Sequence, residues 1–223
     1  MFKVFVQFGC FILPWVVRRW VLNHVFGFSI DAKARVGFSI ILAETVGIEA
    51  GSSIGHFNYV GKLDRLYLGD DVIIGNFNWI AGLPQSAQTP FFRKNPGRRS
   101  ELVLKRGSMI GHQHFIDCTD RIEIGEFSGL AGFRSQLLTH GIEPLSSRQT
   151  CAPILIGDHT MIGSGCLITK GVKVPNCCLV SAGAVVGHVR PEPYSLIAGN
   201  PAVHVRFVPE TAKFFSRTDA ILY

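Results

Sequence analysis

The sequence has few charged residues and lacks the cysteine patterns of disulfide-bonded domains. Charged residues make up 17% of the 223 residues, whereas apolar residues make up 47%, which excludes a disordered chain. The six cysteines form neither a C-x-x-C pair nor a disulfide framework, and this indicates a reduced protein in the cytoplasm. The chain also lacks a basic aromatic stripe and any nucleic-acid-binding module, so nucleic acid is not an expected partner.

A long hydrophobic run is absent as well. The apolar stretch from Val4 to Val17 is interrupted by Pro14 and is shorter than the roughly 20 residues that span a bilayer. It has no strong basic region and no clean cleavage site, which argues against a secretory signal. Two interpretations of residues 1–30 stay open. They form an apolar, helical cap on the end of the fold, or residues 2–30 lie on a membrane surface at its inner face.

What the sequence does contain is an aliphatic residue at every sixth position. Six residues fit neither the 3.6-residue period of a helix nor the two-residue alternation of an open sheet. A fixed short period predicts an all-β solenoid, in which stacked coils of three short strands share one core. In the clearest stretch the aliphatic positions are Ile156, Ile162, Ile168, Val174, Val180 and Val186.

The same period recurs upstream, with slips of two residues at Arg65-Leu66 and Arg121-Ile122. These slips indicate corners enlarged by two residues. The upstream positions are Ile48, Ile54, Val60, Leu68, Ile74, Ile80, Leu104, Ile110, Ile116, Ile124, Leu130 and Gln136.

Two stretches break the period, namely 83–101 and 141–153. Both are rich in Pro, Ser, Gly and Arg, which predicts loops that leave the coils. The predicted organisation is an N-terminal segment 1–30, coils 31–200 that carry the two loops, and a C-terminal tail 201–223 with a short helix.

The stretch from Ile124 to Arg206 resembles the hexapeptide-repeat acyltransferases. The matching residues are IEIGEFSGLAGFRSQLLTHGIEP, then PILIGDHTMIGSGCLITKGVKVPNCCLVSAGAVV, then AGNPAVHVR. The resemblance implies a left-handed parallel β-helix and a homotrimer with active sites between neighbouring helices. It also implies acetyl-coenzyme A as the acyl donor, no metal, and transfer to a sugar hydroxyl of a small-molecule or glycan acceptor, as in polysaccharide biosynthesis.

His140, in the sequence Leu-Thr-His-Gly, matches the catalytic histidine of that family. Because it ends a coil just before a loop, we expect it at a solvent-accessible corner. Transfer from a thioester to an alcohol needs a base for the hydroxyl proton, and an imidazole suits that task near neutral pH. No cysteine or serine lies in an activating motif, so direct transfer is expected. Glu143 is a candidate for orienting the imidazole or contacting the substrate.

Five further candidates concern the two substrates. Ser164 and Ala182 match the family's contacts to the pantetheine arm, where small side chains let the arm lie against the backbone. Arg206 matches an arginine that pairs with a coenzyme A phosphate. Gln113 and His114 correspond loosely to the position at which galactoside acetyltransferases carry an asparagine, so we expect them to contact the acceptor.

The basic aromatic segment of the first loop, Phe91-Phe92-Arg93-Lys94, favours an amphiphilic or anionic acceptor. Three alternative functions stay open. The first is N-acetyl transfer to an amino sugar, because a histidine base serves an amine too. The second is a zinc lyase like the gamma-class carbonic anhydrases, and the third is a non-catalytic scaffold. The only candidate zinc ligands are His112, His114 and His140.

Overall fold

Three parallel sheets, which we call A, B and C, make up most of the protein in the computed structural model. The structure describes residues 2–87, 89, 91–92, 94–187 and 191–219. Successive strands pass from sheet A to sheet B to sheet C and back to A, so that three strands make one coil and the coils stack. The chain is therefore mostly β, as predicted.

The strands have the following bounds. Sheet A contains β1 (Ser29–Ile30), β4 (Thr45–Ile48), β7 (Arg65–Leu68), β10 (Glu101–Leu104), β13 (Ile122–Ile124), β18 (Ile154–Ile156) and β21 (Lys173–Val174). Sheet B contains β2 (Arg35–Val36), β5 (Ser53–Ile54), β8 (Ile73–Ile74), β11 (Met109–His112), β14 (Gly129–Phe133), β19 (Met161–Ile162), β22 (Leu179–Val180), β24 (Ser195–Gly199) and β25 (Ala202–Phe207). Sheet C contains β3 (Ile40–Ile41), β6 (Tyr59–Gly61), β9 (Trp79–Gly82), β12 (Phe115–Cys118), β15 (Gln136–Leu138), β20 (Leu167–Thr169) and β23 (Val185–Val186). A separate antiparallel hairpin consists of β16 (His140–Glu143) and β17 (Arg148–Cys151).

The aliphatic positions of the six-residue period point into the stack. All six positions from Ile156 to Val186 are buried and belong to one continuous core. Burying each such side chain contributes about 1.5–3 kcal/mol, and no coil could bury its own set without its neighbours.

One position of the predicted series is wrong. Gln136 is exposed, and Leu137 takes the inward place. Seven residues, not six, separate Leu130 from Leu137, because the pairing of β11 with β14 shifts register at this point. His112 pairs with Phe133 after the shift, so one extra residue is accommodated within β14, between Leu130 and Phe133.

The interpretation of the two slips as enlarged corners is also wrong. The extra pair of residues lies within the strands of sheet A. In β7, for example, Leu66 and Leu68 are both fully buried, and in β13 the same holds for Ile122 and Ile124. β7 and β13 thus each place two residues inward where a two-residue strand such as β21 places one.

Two helices, α1 (Phe2–Gly9) and α2 (Trp15–Phe26), precede the first coil, with the 3-10 turn Cys10–Ile12 between them. Helix α2 ends at Gly27, whose left-handed φ of 70° suits glycine. Leu22 and Phe26 on α2 are buried in the core of the coils. Among the described residues, no helix has the length and apolar character needed to cross a bilayer.

The last parallel strand, β24, ends at Gly199. Strand β25 pairs antiparallel with β24 at the edge of sheet B. The predicted C-terminal helix corresponds to a four-residue 3-10 turn, Lys213–Ser216, and residues 220–223 lie outside the described part of the chain.

Candidate active site

His140 lies at the corner where the chain leaves sheet C for the hairpin. It is the first residue of β16 and follows Thr139 at the end of a coil. Its side chain is 44% exposed, as expected for a corner position. On the preceding coil, Asp117 is paired in register with Leu138, so Asp117 lies directly beside this corner.

The imidazole of His140 is oriented by Asp117. Nδ1 of the ring lies 2.6 Å from Oδ2 of Asp117, and Oγ1 of Thr119 lies 3.4 Å from the same nitrogen. With the carboxylate ionised, Nδ1 donates the hydrogen, and Nε2 of the neutral ring is the basic atom. Nε2 has no hydrogen-bond partner among the described residues.

Asp117 is itself held by several donors. Its carboxylate accepts hydrogen bonds from the backbone N–H of Thr119 at 3.1 Å, from Oγ1 of Thr119 at 2.7 Å and from the backbone N–H of Thr139 at 3.0 Å. Burial alone would raise the pKa of this carboxyl, but the hydrogen bonds from His140 and Thr119 outweigh burial and lower it. Asp117 is therefore a carboxylate of fixed position.

The pKa of His140 is raised above its ordinary value. The hydrogen bond to Asp117 is the main cause, and partial desolvation and the charge of Lys170 oppose it. Lys170 lies one coil further on, and its Nζ donates to Oγ1 of Thr150 in the hairpin. The imidazole thus sits between a carboxylate that favours its protonation and an ammonium that opposes it.

The segment between β9 and β10 covers this corner. The ring of Phe92 lies 6.1 Å from the ring of His140 in an edge-to-face arrangement. Arg98 anchors the segment. Its buried guanidinium packs against the ring of Phe92 and donates hydrogen bonds to the carbonyls of Leu83, Pro84 and Thr119. Two elements that leave the coils, this segment and the β16–β17 hairpin, therefore flank the Asp117–His140 pair.

A cleft of about 560 Å³ opens between this segment and the hairpin. Its walls combine aromatic and aliphatic side chains with two cations, Lys94 and Arg148. Arg93, which precedes Lys94 in the basic aromatic segment, lies outside the described residues. The residues that line the cleft are Phe91, Phe92, Lys94, Ile142, Ser147, Arg148 and Gln149.

Glu143 does not orient the imidazole, since Asp117 occupies that place. The Glu143 carboxylate accepts a hydrogen bond from the backbone N–H of Leu145 within the hairpin, at 3.3 Å. Its role in contacting substrate stays a prediction.

The predicted acceptor contact of His114 is wrong, because its side chain points into the coils and is 1% exposed. Burial lowers its pKa to about 4, so the ring is neutral. His114 belongs to a ladder of polar side chains along the start of sheet C, each of which accepts from a backbone N–H of the following coil. The members are Ser39, Asn58, Asn78, His114 and Ser135.

Gln113 is exposed, at the corner between sheets B and C, and has a left-handed φ of 56°. Its Oε1 accepts a hydrogen bond from Nε of Arg134 at 3.2 Å. Asp117 lies four residues further along the chain, towards the other end of β12, or about 13 Å from Gln113. The structure does not bring Gln113 to His140 within one protomer.

Ser164 and Ala182, the predicted donor contacts, lie together. They occupy the corner between sheets B and C on adjacent coils, because β19 and β22 are paired in register, and the carbonyl of Ser164 accepts from the backbone N–H of Gly183 at 2.9 Å. Arg206 is exposed on β25, opposite Leu196. The width of sheet C separates this corner from His140.

The histidines named for a zinc site do not converge within the protomer. His114 lies inside the coils, His112 accepts from the backbone N–H of Asn76 at 3.0 Å, and His140 is held by Asp117. In the described part of the chain, no group of three or more metal-ligating residues is present. The nearby thiol of Cys151 is also an unsuitable nucleophile, because burial and Asp120 raise its pKa to about 12.

Sequence patterns did not point to Asp117 or Thr119, and they marked Phe92 only as part of a basic aromatic segment, not as a neighbour of His140. Asp117 carried a usable signal, since it is a polar residue on a strand one coil before the histidine. The seven-residue interval from Leu130 to Leu137 displaced the expected register by one and hid this alignment. Phe92 lies in a segment that has no period, so no spacing rule could place it beside His140.

The chain is similar in sequence to one protein named as an acetyltransferase and in fold to solved acetyltransferases. No family model matches the chain. The chain is 33% identical over 128 residues to the Bacillus subtilis protein named "Putative acetyltransferase YvoF"; the aligned part is 57% of this chain and 64% of that protein. The chain therefore spans somewhat less than two thirds of this relative.

Solved structures share the fold, among them the following two. The polysialic acid O-acetyltransferase OatWY superimposes with a TM-score of 0.65, at 18% identity, over 84% of this chain and 90% of that chain. A hexapeptide transferase family protein from Anaplasma phagocytophilum gives a TM-score of 0.51, at 16% identity, over 82% of this chain and 80% of that chain. The resemblance to hexapeptide-repeat acyltransferases, predicted from residues Ile124 to Arg206, is therefore confirmed.

Proposed function

We propose that the protein transfers an acetyl group from acetyl-coenzyme A to a sugar hydroxyl, in the cytoplasmic synthesis of a surface glycan or polysaccharide. The observation that carries this proposal is the 2.6 Å hydrogen bond between His140 Nδ1 and Asp117 Oδ2, which directs the basic Nε2 of a half-exposed ring away from its anchor. The partial sequence similarity to an acetyltransferase and the fold shared with a polysaccharide O-acetyltransferase support it.

In this reaction His140 acts as a general base. Nε2 takes the hydroxyl proton of the sugar while the new C–O bond forms at the acetyl carbon. The imidazolium then gives this proton to the sulfur as the C–S bond breaks, so the free thiol and the acetyl ester are the products. Asp117 stabilises the imidazolium and fixes the tautomer. A positioned base of this kind contributes roughly 10²–10⁴ in rate.

The cleft beside Phe92 is suited to the acceptor. Its volume of about 560 Å³ lies in the range of small-molecule sites. Phe91 offers an aromatic surface to a sugar ring, and Lys94 and Arg148 favour an acceptor that carries a carboxylate or phosphate.

A neighbouring protomer completes the site in this proposal. Ser164 and Ala182 have the small side chains that a pantetheine arm requires, but they lie across sheet C from His140. A homotrimer with left-handed coils, as the family resemblance implies, would place the Ser164 corner of one protomer against the His140 corner of the next. Arg206 would then pair with a coenzyme A phosphate by a charge-assisted hydrogen bond.

The first experiment measures thiol release from acetyl-coenzyme A with a panel of neutral, acidic and amino sugars. The expected product is an ester that hydroxylamine cleaves, whereas an amide that resists hydroxylamine would indicate N-acetyl transfer. His140→Ala should lose turnover and retain the circular dichroism spectrum and coenzyme A binding of the wild type. Full activity in this variant would exclude His140 as the base.

The second experiment tests the shared site. His140→Ala and Ala182→Trp protomers are each expected to form inactive homotrimers. In mixed trimers, some interfaces pair an intact His140 with an intact Ala182, so mixing the two variants should restore part of the activity. A mixture that stays inactive while forming mixed trimers would contradict a site shared between protomers.

A further inference from the structure

Large apolar side chains lie uncovered along the two N-terminal helices. Their exposed fractions run from 56% to 89%, the highest being that of Ile12. We call this set the N-terminal apolar surface. Its members are Phe2, Phe5, Phe8, Ile12, Val16 and Trp20.

The helices that carry this surface are fixed by polar contacts on their inner side. The side-chain amide of Gln7 donates to the carbonyl of Ile41 at 2.7 Å and accepts from its N–H at 2.9 Å. Arg18 donates to the carbonyl of Gly37 at 3.1 Å, beneath the ring of Trp15. In α1, Gln7 is the only buried residue. In α1 a polar residue is buried while apolar residues are exposed. A surface helix of a water-soluble protein shows the reverse pattern, because it buries its apolar side.

The charge of the segment is of one sign. Residues 1–30 contain no aspartate or glutamate, and Lys3, Arg18 and Arg19 are basic. Lys3 is exposed next to Phe2, and Arg19 is half-buried next to Trp20. A second copy of the chain would bring basic residues together with no carboxylate from this segment to pair them. Aromatic side chains beside lysine and arginine suit the headgroup region of an anionic bilayer.

We propose that the N-terminal apolar surface binds an anionic lipid bilayer, with α1 and α2 lying in the plane of the headgroups. Gln7 anchors α1 to β3, and β12, which carries Asp117, is three strands further along sheet C. At the spacing of neighbouring strands, this places the Asp117–His140 pair about 14 Å along the sheet from the anchored coil. The consequence, which rests on the proposed function, is that the acceptor is presented at the membrane on a lipid carrier.

The test is sedimentation of the full-length protein with vesicles, in the absence of coenzyme A and sugar. We expect binding to mixed phosphatidylglycerol and phosphatidylcholine vesicles that weakens with added salt, and much weaker binding to phosphatidylcholine alone. The variant Phe5→Gln/Ile12→Gln/Trp20→Gln should bind at least about tenfold more weakly. The matched control Val203→Gln/Val205→Gln/Phe207→Gln changes three exposed apolar residues of β25 and should bind like the wild type.

Several results would overturn the proposal. They are a wild type that does not sediment with anionic vesicles, equal binding to neutral vesicles, or a triple variant that binds as well as the wild type. Loss of trimer mass in the triple variant, with no vesicle binding by the wild type, would make the surface a protomer contact instead. Quenching of wild-type tryptophan fluorescence by lipids with brominated acyl chains supplies a readout that needs no variant. Because these assays involve no acetyl transfer, their outcome is independent of the enzyme activity.

Discussion

The carboxylate of Asp117 and the imidazole of His140 meet at 2.6 Å from neighbouring coils. The two residues are 23 positions apart, and the pairing of β12 with β15 brings them together. Their geometry therefore depends on the stacking of two coils, and it is as rigid as the core beneath them.

Replacing Asp117 by asparagine should reduce kcat by roughly 10²-fold or more, since the ring loses the acceptor that fixes its tautomer and stabilises its charge. The KM for acetyl-coenzyme A should change little, because Asp117 acts through His140 and is not one of the residues proposed to bind the donor. Steady-state kinetics on purified variants provides the measurement. Glu143→Gln is the matched control; a larger loss in this variant than in Asp117→Asn would make Glu143 the orienting group.

The pH profile should report the raised pKa of His140. A general base works in its neutral form, so kcat/KM should rise with pH through a midpoint above the ordinary histidine value. In Asp117→Asn the midpoint should move to lower pH, because the main cause of the raised pKa is removed. In Lys170→Met it should move to higher pH, since a neighbouring positive charge is lost. Shifts in the same direction in both variants would contradict this electrostatic arrangement.

Arg98→Met should loosen the segment that covers the site. The variant leaves the carbonyls of Leu83, Pro84 and Thr119 without their donor. We expect the free energy of unfolding to fall by about 1–3 kcal/mol and proteolysis between β9 and β10 to become faster. Urea unfolding and limited proteolysis measure the two effects. Arg99→Met changes the adjacent residue and is the control; equal effects in both variants would argue against the anchor.

His114→Asn should remove an acid sensitivity. In the wild type the ring is neutral with a pKa of about 4, whereas the unfolded chain has an ordinary histidine near 6.5. The unfolded state binds the extra proton as the pH falls from about 6.5 to about 4, so stability is lost over this window, up to about 3 kcal/mol. Asparagine already fills the same ladder position on two preceding coils. In the variant, the contribution of position 114 to the free energy of unfolding, measured by urea unfolding, should be nearly independent of pH across this window. An undiminished loss of stability in the variant would show that other groups cause it.

Sequence periodicity predicted much of the coil core but less of the site. Residues such as Ile162 and Val180 are confined to the interior by a spacing that only a stacked coil satisfies, and their places follow from pattern alone. His140 was found because a local motif marks it. Asp117 was not, since its importance comes from a register that one extra residue after Leu130 shifts, and periodicity cannot locate a single insertion. Phe92 depends on tertiary packing of an aperiodic segment.

The polar ladder from Ser39 to Ser135 has a direction. Each of its side chains accepts a hydrogen bond from a backbone N–H of the next coil along the chain. The side chain of Asn78 accepts from the N–H of His114, and the side chain of His114 accepts from the N–H of Ser135. As the polypeptide leaves the ribosome, each new coil would thus find the hydrogen-bond acceptors of the preceding coil already in place. Such a molecule can fold vectorially from its N-terminus, one coil after another. The Asp117–His140 pair then forms only when the fifth coil packs on the fourth.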